Sequence, residues 1–560
     1  MRPEIFDAIV VGSGMTGGLA AKLLSEAGLR VLVLEAGPNR EITSNEIGLD
    51  ETKPGKSTPE KSSAAGTAAV QSRCYAFSER TRPYFVNDRN DPYVVPPRDP
   101  FSWIRARTIG GKSLLWAGHC YRMTDLDFHA TERDGVGSSW PLHYRELAPY
   151  YAEAERILQV RGFSDGLAYL PDGDYTAASP LRSEERRLQQ AAAAMGRPLV
   201  RARMSHDART AGQTPCLHCG RIDADCARPV TSADSTLAEA LQTGRAILRT
   251  ASPVRSITTN AHGHATGVCA VNRETGELFE AGARLIFLCA SALESTRILL
   301  NSASSLFPYG LGNSSGALGR YLMDHVSGIT ATGIFESDAG DANEASERGA
   351  QAGLLYMPRW QNLRPYSATR FLRGYGCQLF TMPADHELLP CVRTQLRPNA
   401  SAKKPNANSF LVSATAFGEM LPSVDNFVEI DRGGHLDADG IPILNIHCRY
   451  DENERAMAKD MLSSVQEILI AVGATLMELR PTVSEPGLAI HEAGTCRMGH
   501  NRNASVLNPF NQCHDAANVF VTDGSCFPSV GTQNPALTMM ALTIRACRYA
   551  IELLKKGELK

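Results

Sequence analysis

No stretch of the chain approaches the run of about 18 apolar residues that a membrane-spanning helix requires, so the sequence offers no transmembrane segment. Little supports a secretory leader, and none is expected, because Glu4 and Asp7 stand where its apolar core would be needed. The chain runs instead straight into the strand pattern Phe6-Asp7-Ala8-Ile9-Val10-Val11. A cytoplasmic location is expected, with export on a partner subunit's signal left open. An excess of either charge is lacking too. The formal net charge of -3 gives no electrostatic reason for a nucleic-acid or anionic-membrane partner. Internal repeats are absent. A disulfide framework is not expected, because fourteen cysteines scattered from Cys74 to Cys547 in a chain with no expected leader read as reduced, buried thiols.

What is present is an ordinary globular composition, 43% hydrophobic and 21% charged, in a chain of 560 residues. That length exceeds what one hydrophobic core organises, so two or more packed units are expected. The N-terminus reads strand, glycine turn, helix, strand. After Ala8–Val11 comes Gly12-Ser13-Gly14-Met15-Thr16-Gly17, and then Leu19, Ala20, Leu23, Leu24 and Ala27 recur at helical spacing up to Gly28. Val31-Leu32-Val33-Leu34 is a continuous apolar strand ending in Glu35. This is a βαβ-type start to a parallel sheet with helices packed on it.

Residues 43–71 are polar and read as a mobile surface excursion. Helices are expected at Tyr144–Leu158, Leu188–Ala194, Ala292–Leu300, Glu452–Val472 and Ala536–Leu554. Strands are expected at Ala246–Leu248, Ala283–Cys289, Phe427–Ile430, Leu444–His447 and Val519–Thr522. The parallel sheet thus begins at one end of the chain and is expected to be completed at the other. The expected division is a discontinuous cofactor domain of residues 1–133, 231–326 and 486–560, with a substrate domain of 134–230 and 327–485 inserted between its pieces.

The glycine pattern has a physical rationale. Gly12 permits the tight turn out of the strand, Gly14 lets backbone amides approach a pyrophosphate, and Gly17 lets the helix pack closely on the sheet. The phosphates then meet the free N–H groups and dipole of a helix N-terminus. Glu35 is placed to accept hydrogen bonds from an adenosine ribose. By itself the pattern admits FAD or NAD.

Four further segments narrow the choice. They are His491-Glu-Ala-Gly-Thr-Cys-Arg-Met-Gly499, Thr522-Asp-Gly-Ser-Cys-Phe-Pro-Ser-Val-Gly-Thr-Gln-Asn-Pro-Ala-Leu-Thr538, Arg107-Thr-Ile-Gly-Gly-Lys-Ser-Leu-Leu-Trp116 and Leu288-Cys-Ala-Ser-Ala-Leu-Glu-Ser-Thr-Arg-Ile-Leu-Leu-Asn301. With Gly319-Arg-Tyr-Leu-Met-Asp-His325, they resemble the glucose–methanol–choline (GMC) oxidoreductase superfamily in order and position. The resemblance covers the cofactor domain and is looser between 327 and 485. It implies an α/β fold, with a Rossmann-like FAD-binding domain and an inserted α+β substrate domain carrying a mixed or antiparallel sheet. It also implies that Gly110, Gly111 and Ser113 run beside the isoalloxazine and ribityl chain, that the backbone of Val254 meets the adenine, and that Asp523 and Gly524 lie near the ribityl chain. Some relatives attach FAD to a histidine just before the tryptophan of the second glycine loop. Leu115 stands there in this chain, so FAD is expected to be non-covalent.

Alcohol oxidation requires removal of a hydroxyl proton and transfer of the carbinol hydride to flavin N5. A neutral imidazole can take the proton, and a second polar group should hold the oxygen. His491 and Asn534 resemble the family's two catalytic positions, in its His–Asn version. Asparagine donates a hydrogen bond but cannot titrate, so His491 is expected to carry the proton chemistry alone. His325 is read as structural within its loop, and His447 and His500 as surface or hydrogen-bonded core residues.

The cluster Cys216-Leu-His-Cys219-Gly-Arg-Ile-Asp-Ala-Asp-Cys226 could bite a metal, with His218 as a fourth ligand suited to zinc. Some membrane-linked sugar dehydrogenases of the family bind iron–sulfur through cysteines in this part of the chain. No fourth nearby cysteine completes a four-thiolate site, and the segment is read as a loop of reduced thiols or an incidental disulfide, with no metal assigned. The Cys-rich segment and Leu114-Leu-Trp-Ala-Gly-His119 resemble the bacterial sugar-oxidising branch, with pyranose-oxidase-like enzymes and glycoside 3-dehydrogenases. A sugar or glycoside oxidised at a ring secondary hydroxyl, C3 or C2, is the expected substrate. A non-sugar alcohol or polyol is the alternative, with an NAD-dependent dehydrogenase or a non-catalytic flavoprotein behind it. Trp116, Trp140 and Trp360 could stack on a sugar, although core packing is the favoured reading of each. The acceptor (oxygen, a quinone or a redox partner protein) stays open, as do a homo-oligomer and a role as accessory subunit.

Overall fold

The computed structural model describes residues 4–39, 68–210, 228–336, 353–363, 369–384 and 408–559. Most of the excursion expected at 43–71, and the whole of Cys216–Cys226, lie outside the described residues. The described end of that excursion is anchored. Gln71 is fully buried, and its amide donates to Asp88 Oδ1 at 2.8 Å and to the Trp103 carbonyl at 3.0 Å.

The N-terminal strand Ile5–Val11 is apolar on both faces from Ala8 onward and therefore lies in the middle of a layered sheet. It pairs in parallel with Val31–Leu34 on one side and with Leu278–Leu288 on the other. Ala246–Arg249 extends the parallel set beyond Val31–Leu34, and Val519–Val521 joins it against the end of Leu278–Leu288. The first and last parts of the chain thus share one sheet. Helix Met15–Glu26 packs on it beside the C-terminal helix Ala536–Lys555.

The sheet is not parallel throughout. Ala265–Val271 pairs antiparallel with the first half of Leu278–Leu288, and Val254–Thr259 pairs antiparallel with Ala265–Val271. The expected strand at Ala283–Cys289 therefore started too late. Residues 278–282 are Leu-Phe-Glu-Ala-Gly, with Leu278 exposed and the apolar run broken by Glu280, so they escape a search for continuous apolar runs.

A second sheet is antiparallel at every pairing. Its order is Thr475–Arg480, Thr330–Glu336, Ser409–Glu419, Tyr375–Pro383, Gly353–Met357 and Val200–Arg201, with His325–Val326 also on Ser409–Glu419. Helix Glu452–Ala471 covers it with Met457, Met461, Val465, Ile468 and Leu469. Its start is fixed where Asp451 N–H donates to Glu454 Oε2 at 3.0 Å, the reciprocal half of a capping box. Among the described residues no helix is long and apolar enough to cross a membrane, and the ten cysteines are unpaired.

Candidate active site

The parallel strands end at Val11, Leu34 and Leu288, and the chain turns there into glycine loops and helix N-termini. Gly12 has φ +94°, and a Cβ on it would stand 2.6 Å from the Cys289 carbonyl oxygen. Only glycine fits that turn. Gly17 is where the helix presses on the turn, since its Cβ would lie 1.9 Å from the Gly12 carbonyl oxygen. A Cβ on Gly14 would meet nothing, and no side chain caps the helix that starts after it. The N–H groups of the first turn are thus left to an outside acceptor.

One cavity of about 640 Å³ runs from this turn to the second sheet. Gly12, Gly14, Glu35, Gly111, Ser113, Val254, Asp523, Gly524, His491 and Asn534 all line it, together with Leu115. Gly17 and Gly110 stand behind the wall, and Gly110 rests on Ala233. Glu35 accepts from Ser13 N–H (3.0 Å), Ser13 Oγ (2.6 Å) and Gly37 N–H (2.7 Å). A carboxylate has about four lone-pair sites, so roughly one remains for a ligand hydroxyl. Burial pushes its carboxyl up, against the pull of those hydrogen bonds. Asp523 is held similarly by Ser525 Oγ (2.6 Å) and Ser295 Oγ (2.5 Å). Burial raises its carboxyl as well. Lys112 pairs with the buried Glu492 at 2.8 Å, while Glu492 Oε1 has no protein partner. An uncapped helix start, an open glycine and an orphaned carboxylate oxygen along one cavity fit a dinucleotide with polar groups along its length.

His491 and Asn534 meet at the other end. Asn534 Nδ2 is 3.4 Å from His491 Nε2, long for a direct hydrogen bond and open enough for a small oxygen to bridge the two. The loop before His491 wraps a carboxylate: Asp324 accepts from the N–H groups of Gly487 (2.7 Å), Ala489 (3.2 Å) and His491 (3.0 Å). Ile490 is held at φ +63°, a strained conformation for a β-branched residue. Burial, and then the electrostatic influence of neighbouring His325, Lys112 and His119, hold the His491 imidazole well below its ordinary value. The ring is therefore neutral at neutral pH.

Three residues here were not singled out in the sequence. Gln378 Nε2 donates to Asn534 Oδ1 at 2.9 Å from the second sheet, and Lys112 and Asp324 complete the surroundings. The one signal for Gln378 is a polar residue inside the apolar strand Tyr375–Pro383. His325, read as structural, contacts His491 directly through Nδ1 at 2.7 Å. Trp140 is core, tilted against Phe128 and edge-on to Phe527, and Trp360 packs edge-on against Tyr375. Trp116 lines the cavity, with its Nε1 donating to the Val230 carbonyl at 3.1 Å.

Two family models, both described as GMC oxidoreductase, match residues 6–327 and 422–543. The chain belongs to the GMC oxidoreductase family. Members of this family are FAD flavoproteins that oxidise CH–OH groups. The chain is 28% identical to a 2-methyl-1,2-propanediol dehydrogenase from Mycolicibacterium austroafricanum, over 97% of this chain and 94% of that one. It is 26% identical to the fructose dehydrogenase large subunit of Gluconobacter japonicus, over 98% of both. Among solved structures, pyridoxine 4-oxidase from Mesorbium loti aligns with a TM-score of 0.58 at 19% identity, covering 97% of this chain and 98% of that one. That likeness shows the GMC fold.

Proposed function

We propose that this GMC oxidoreductase oxidises a ring secondary hydroxyl of a sugar or glycoside, at C3 or C2, with His491 as base. The observation that carries the reading is the pairing of a neutral imidazole and an amide at 3.4 Å on the wall of the nucleotide cavity. Bound FAD supplies the two-electron hydride acceptor. Gly12, Gly14 and Gly17 form its pyrophosphate turn, and Glu35 meets a ribose hydroxyl. Gly110, Gly111, Ser113, Val254, Asp523 and Gly524 hold the rest. Leu115 offers no nucleophile, which supports non-covalent binding.

The chain's own part is proton transfer and orientation. The substrate hydroxyl sits between His491 Nε2 and Asn534 Nδ2. Nε2 takes its proton, and the Asn534 amide steadies the negative charge that develops on the oxygen as the carbinol C–H bond breaks. The product is a ketone. Gln378, His119 and Thr415 on the cavity wall supply polar contacts suited to further hydroxyls. The fructose dehydrogenase relative supports a sugar, and its designation as a large subunit supports a redox partner subunit as acceptor. The propanediol dehydrogenase relative favours a second reading, a small diol.

Anaerobic mixing of the yellow protein with glucose, methyl glucosides, fructose, 2-methyl-1,2-propanediol, choline and benzyl alcohol separates these. Bleaching of the flavin by sugars or glucosides at the lowest concentrations is expected. Bleaching by the diol alone establishes the second reading, and bleaching by choline or benzyl alcohol without any sugar overturns both.

A further inference from the structure

His491 can act as a base only through the nitrogen that carries no proton, and an isolated neutral imidazole is free to carry it on either. The structure removes that freedom through a hydrogen-bond chain with a fixed end. The carbonyl oxygen of Gly531 can only accept. It lies 3.0 Å from His325 Nε2, so that nitrogen carries the hydrogen. His325 is 1% exposed, and burial holds its imidazole down at about 4, so the ring is neutral and its Nδ1 bears a lone pair. Nδ1 of His325 is 2.7 Å from Nδ1 of His491, and two lone pairs cannot meet at that distance. The hydrogen between them therefore belongs to His491 Nδ1. His491 Nε2 is left as the acceptor, facing Asn534 and the cavity. The other end runs in the same sense. Gln378 Nε2 donates to Asn534 Oδ1 at 2.9 Å, which turns the Asn534 NH2 group toward His491.

We propose that His325 is a positioning residue for the GMC oxidoreductase reaction: it fixes His491 as the Nδ1–H tautomer, so that Nε2 is the base, and accepts a hydrogen bond from the imidazolium once the substrate proton arrives. The two rings stand perpendicular with centroids 4.9 Å apart, so the contact is made edge to edge in the ring planes' hydrogen-bonding direction rather than by stacking. Gln378 is the matching positioning residue for Asn534. The proposal rests on the reading of His491 as base, and it names the residues that make this base and its partner amide present the right atoms.

The groups facing the pair are few. Lys112 is paired with Glu492 at 2.8 Å, and His119 Nδ1 lies 3.0 Å from the Tyr121 hydroxyl. The Asp324 carboxylate is taken up by the N–H groups of the 487–491 loop, and Phe417 supplies an apolar ring 6.5 Å from His491. Around His325, the Tyr450 hydroxyl donates to its backbone carbonyl at 3.1 Å, and Glu419 across the strand pair is bound to Arg373 at 2.7 Å. At Nδ1 of His491 the hydrogen-bond partner is His325, so the Nδ1–Nδ1 contact is the one that sets the tautomer.

The direct test is side-chain 15N NMR of the histidine-labelled protein without substrate, with the His491 signals identified by their loss in His491→Ala. The expected result is protonation at Nδ1 and a lone pair at Nε2 near neutral pH. An Nε2–H tautomer of His491 overturns the proposal. Two variants give a second reading. In His325→Asn, a side-chain oxygen near the Nδ1 position keeps an acceptor for His491. In His325→Gln, an amide near the Nε2 position keeps the donor to Gly531 and loses that acceptor. With flavin content equal, anaerobic flavin reduction should fall by about 10²-fold or more in the Gln variant and much less in the Asn variant, the scale of a lost general base. Equal rates in the two variants overturn the proposal. The tautomer is read without any substrate, so failure to find an oxidisable sugar leaves this test intact.

Discussion

A methyl group on residue 17 would stand 1.9 Å from a backbone oxygen of the nucleotide turn, and backbone cannot swing aside as a side-chain tip can. Gly17→Ala should therefore yield protein that retains its fold but has lost the flavin, read as absorbance near 450 nm relative to 280 nm. Flavin retained at the level of the unaltered chain would show that the turn is not the pyrophosphate site. Protonation is the second matter settled by single residues. Burial keeps His491 well below 6.5 and His325 at about 4. The proposed base is thus already neutral across neutral and mildly acidic pH, and the rate of flavin reduction should stay flat there and fall only well below pH 6.5. For stability the sign follows from linkage. The unfolded state protonates these histidines first, so the stability they contribute is complete above about 6.5 and is lost as pH falls toward 4. Buried Asp324 and Asp127, pushed up to about 7 and about 6, act in the opposite sense, so the histidine contribution is read as a difference: between pH 7 and 5 the urea midpoint of the unaltered protein should fall relative to that of His325→Asn.

His491 and Asn534 were legible in the sequence because each sits in a long local motif. Gln378 and the His325–His491 contact were not. The contact spans 166 positions and the Gln378–Asn534 bond 156, and both exist only because the second sheet packs against the loops of the first.

At the scale of elements, continuous or helical periodicity located the longer helices and the parallel strands. Helices Tyr144–Ile157, Ala292–Asn301, Glu452–Ala471 and Ala536–Lys555 fall within a residue or so of expectation at each end. In the elements it did find, the pattern missed ends that carry charged residues. Leu278–Gly282 extends a core strand outward, and helix Ser183–Ala194 begins a turn earlier than expected, with an acidic first turn of Glu184 and Glu185. Aromatic packing between elements is the clearest energetic claim at this level. Trp140 fills the space between Phe128 and Phe527, and its Nε1 donates to Ser529 Oγ at 2.9 Å. Trp140→Ala should cost about 3–5 kcal/mol, as large aromatic truncations in a core do. Denaturant unfolding of the flavin-loaded protein measures it. A loss under 1 kcal/mol would mean that this residue is not a core anchor.

The whole molecule joins a nucleotide-binding sheet to an antiparallel one through a single cavity, with His491 and Asn534 near where the second sheet contributes Gln378. The first sheet could be read from the chain ends because its strands are buried, apolar and flanked by glycine loops. The second could be placed only as a region, because its strands are apolar on both faces in places and its order is set by pairing across long sequence distances. The central claim is that His491 removes the substrate proton at this junction. Anaerobic stopped-flow absorbance of the flavin, comparing the unaltered protein with His491→Asn on whichever alcohol bleaches it, tests that most directly. The account predicts a variant that stays yellow, with its FAD retained and its reduction slowed at least about 10²-fold. Reduction of the variant at the same rate as the unaltered protein would contradict it.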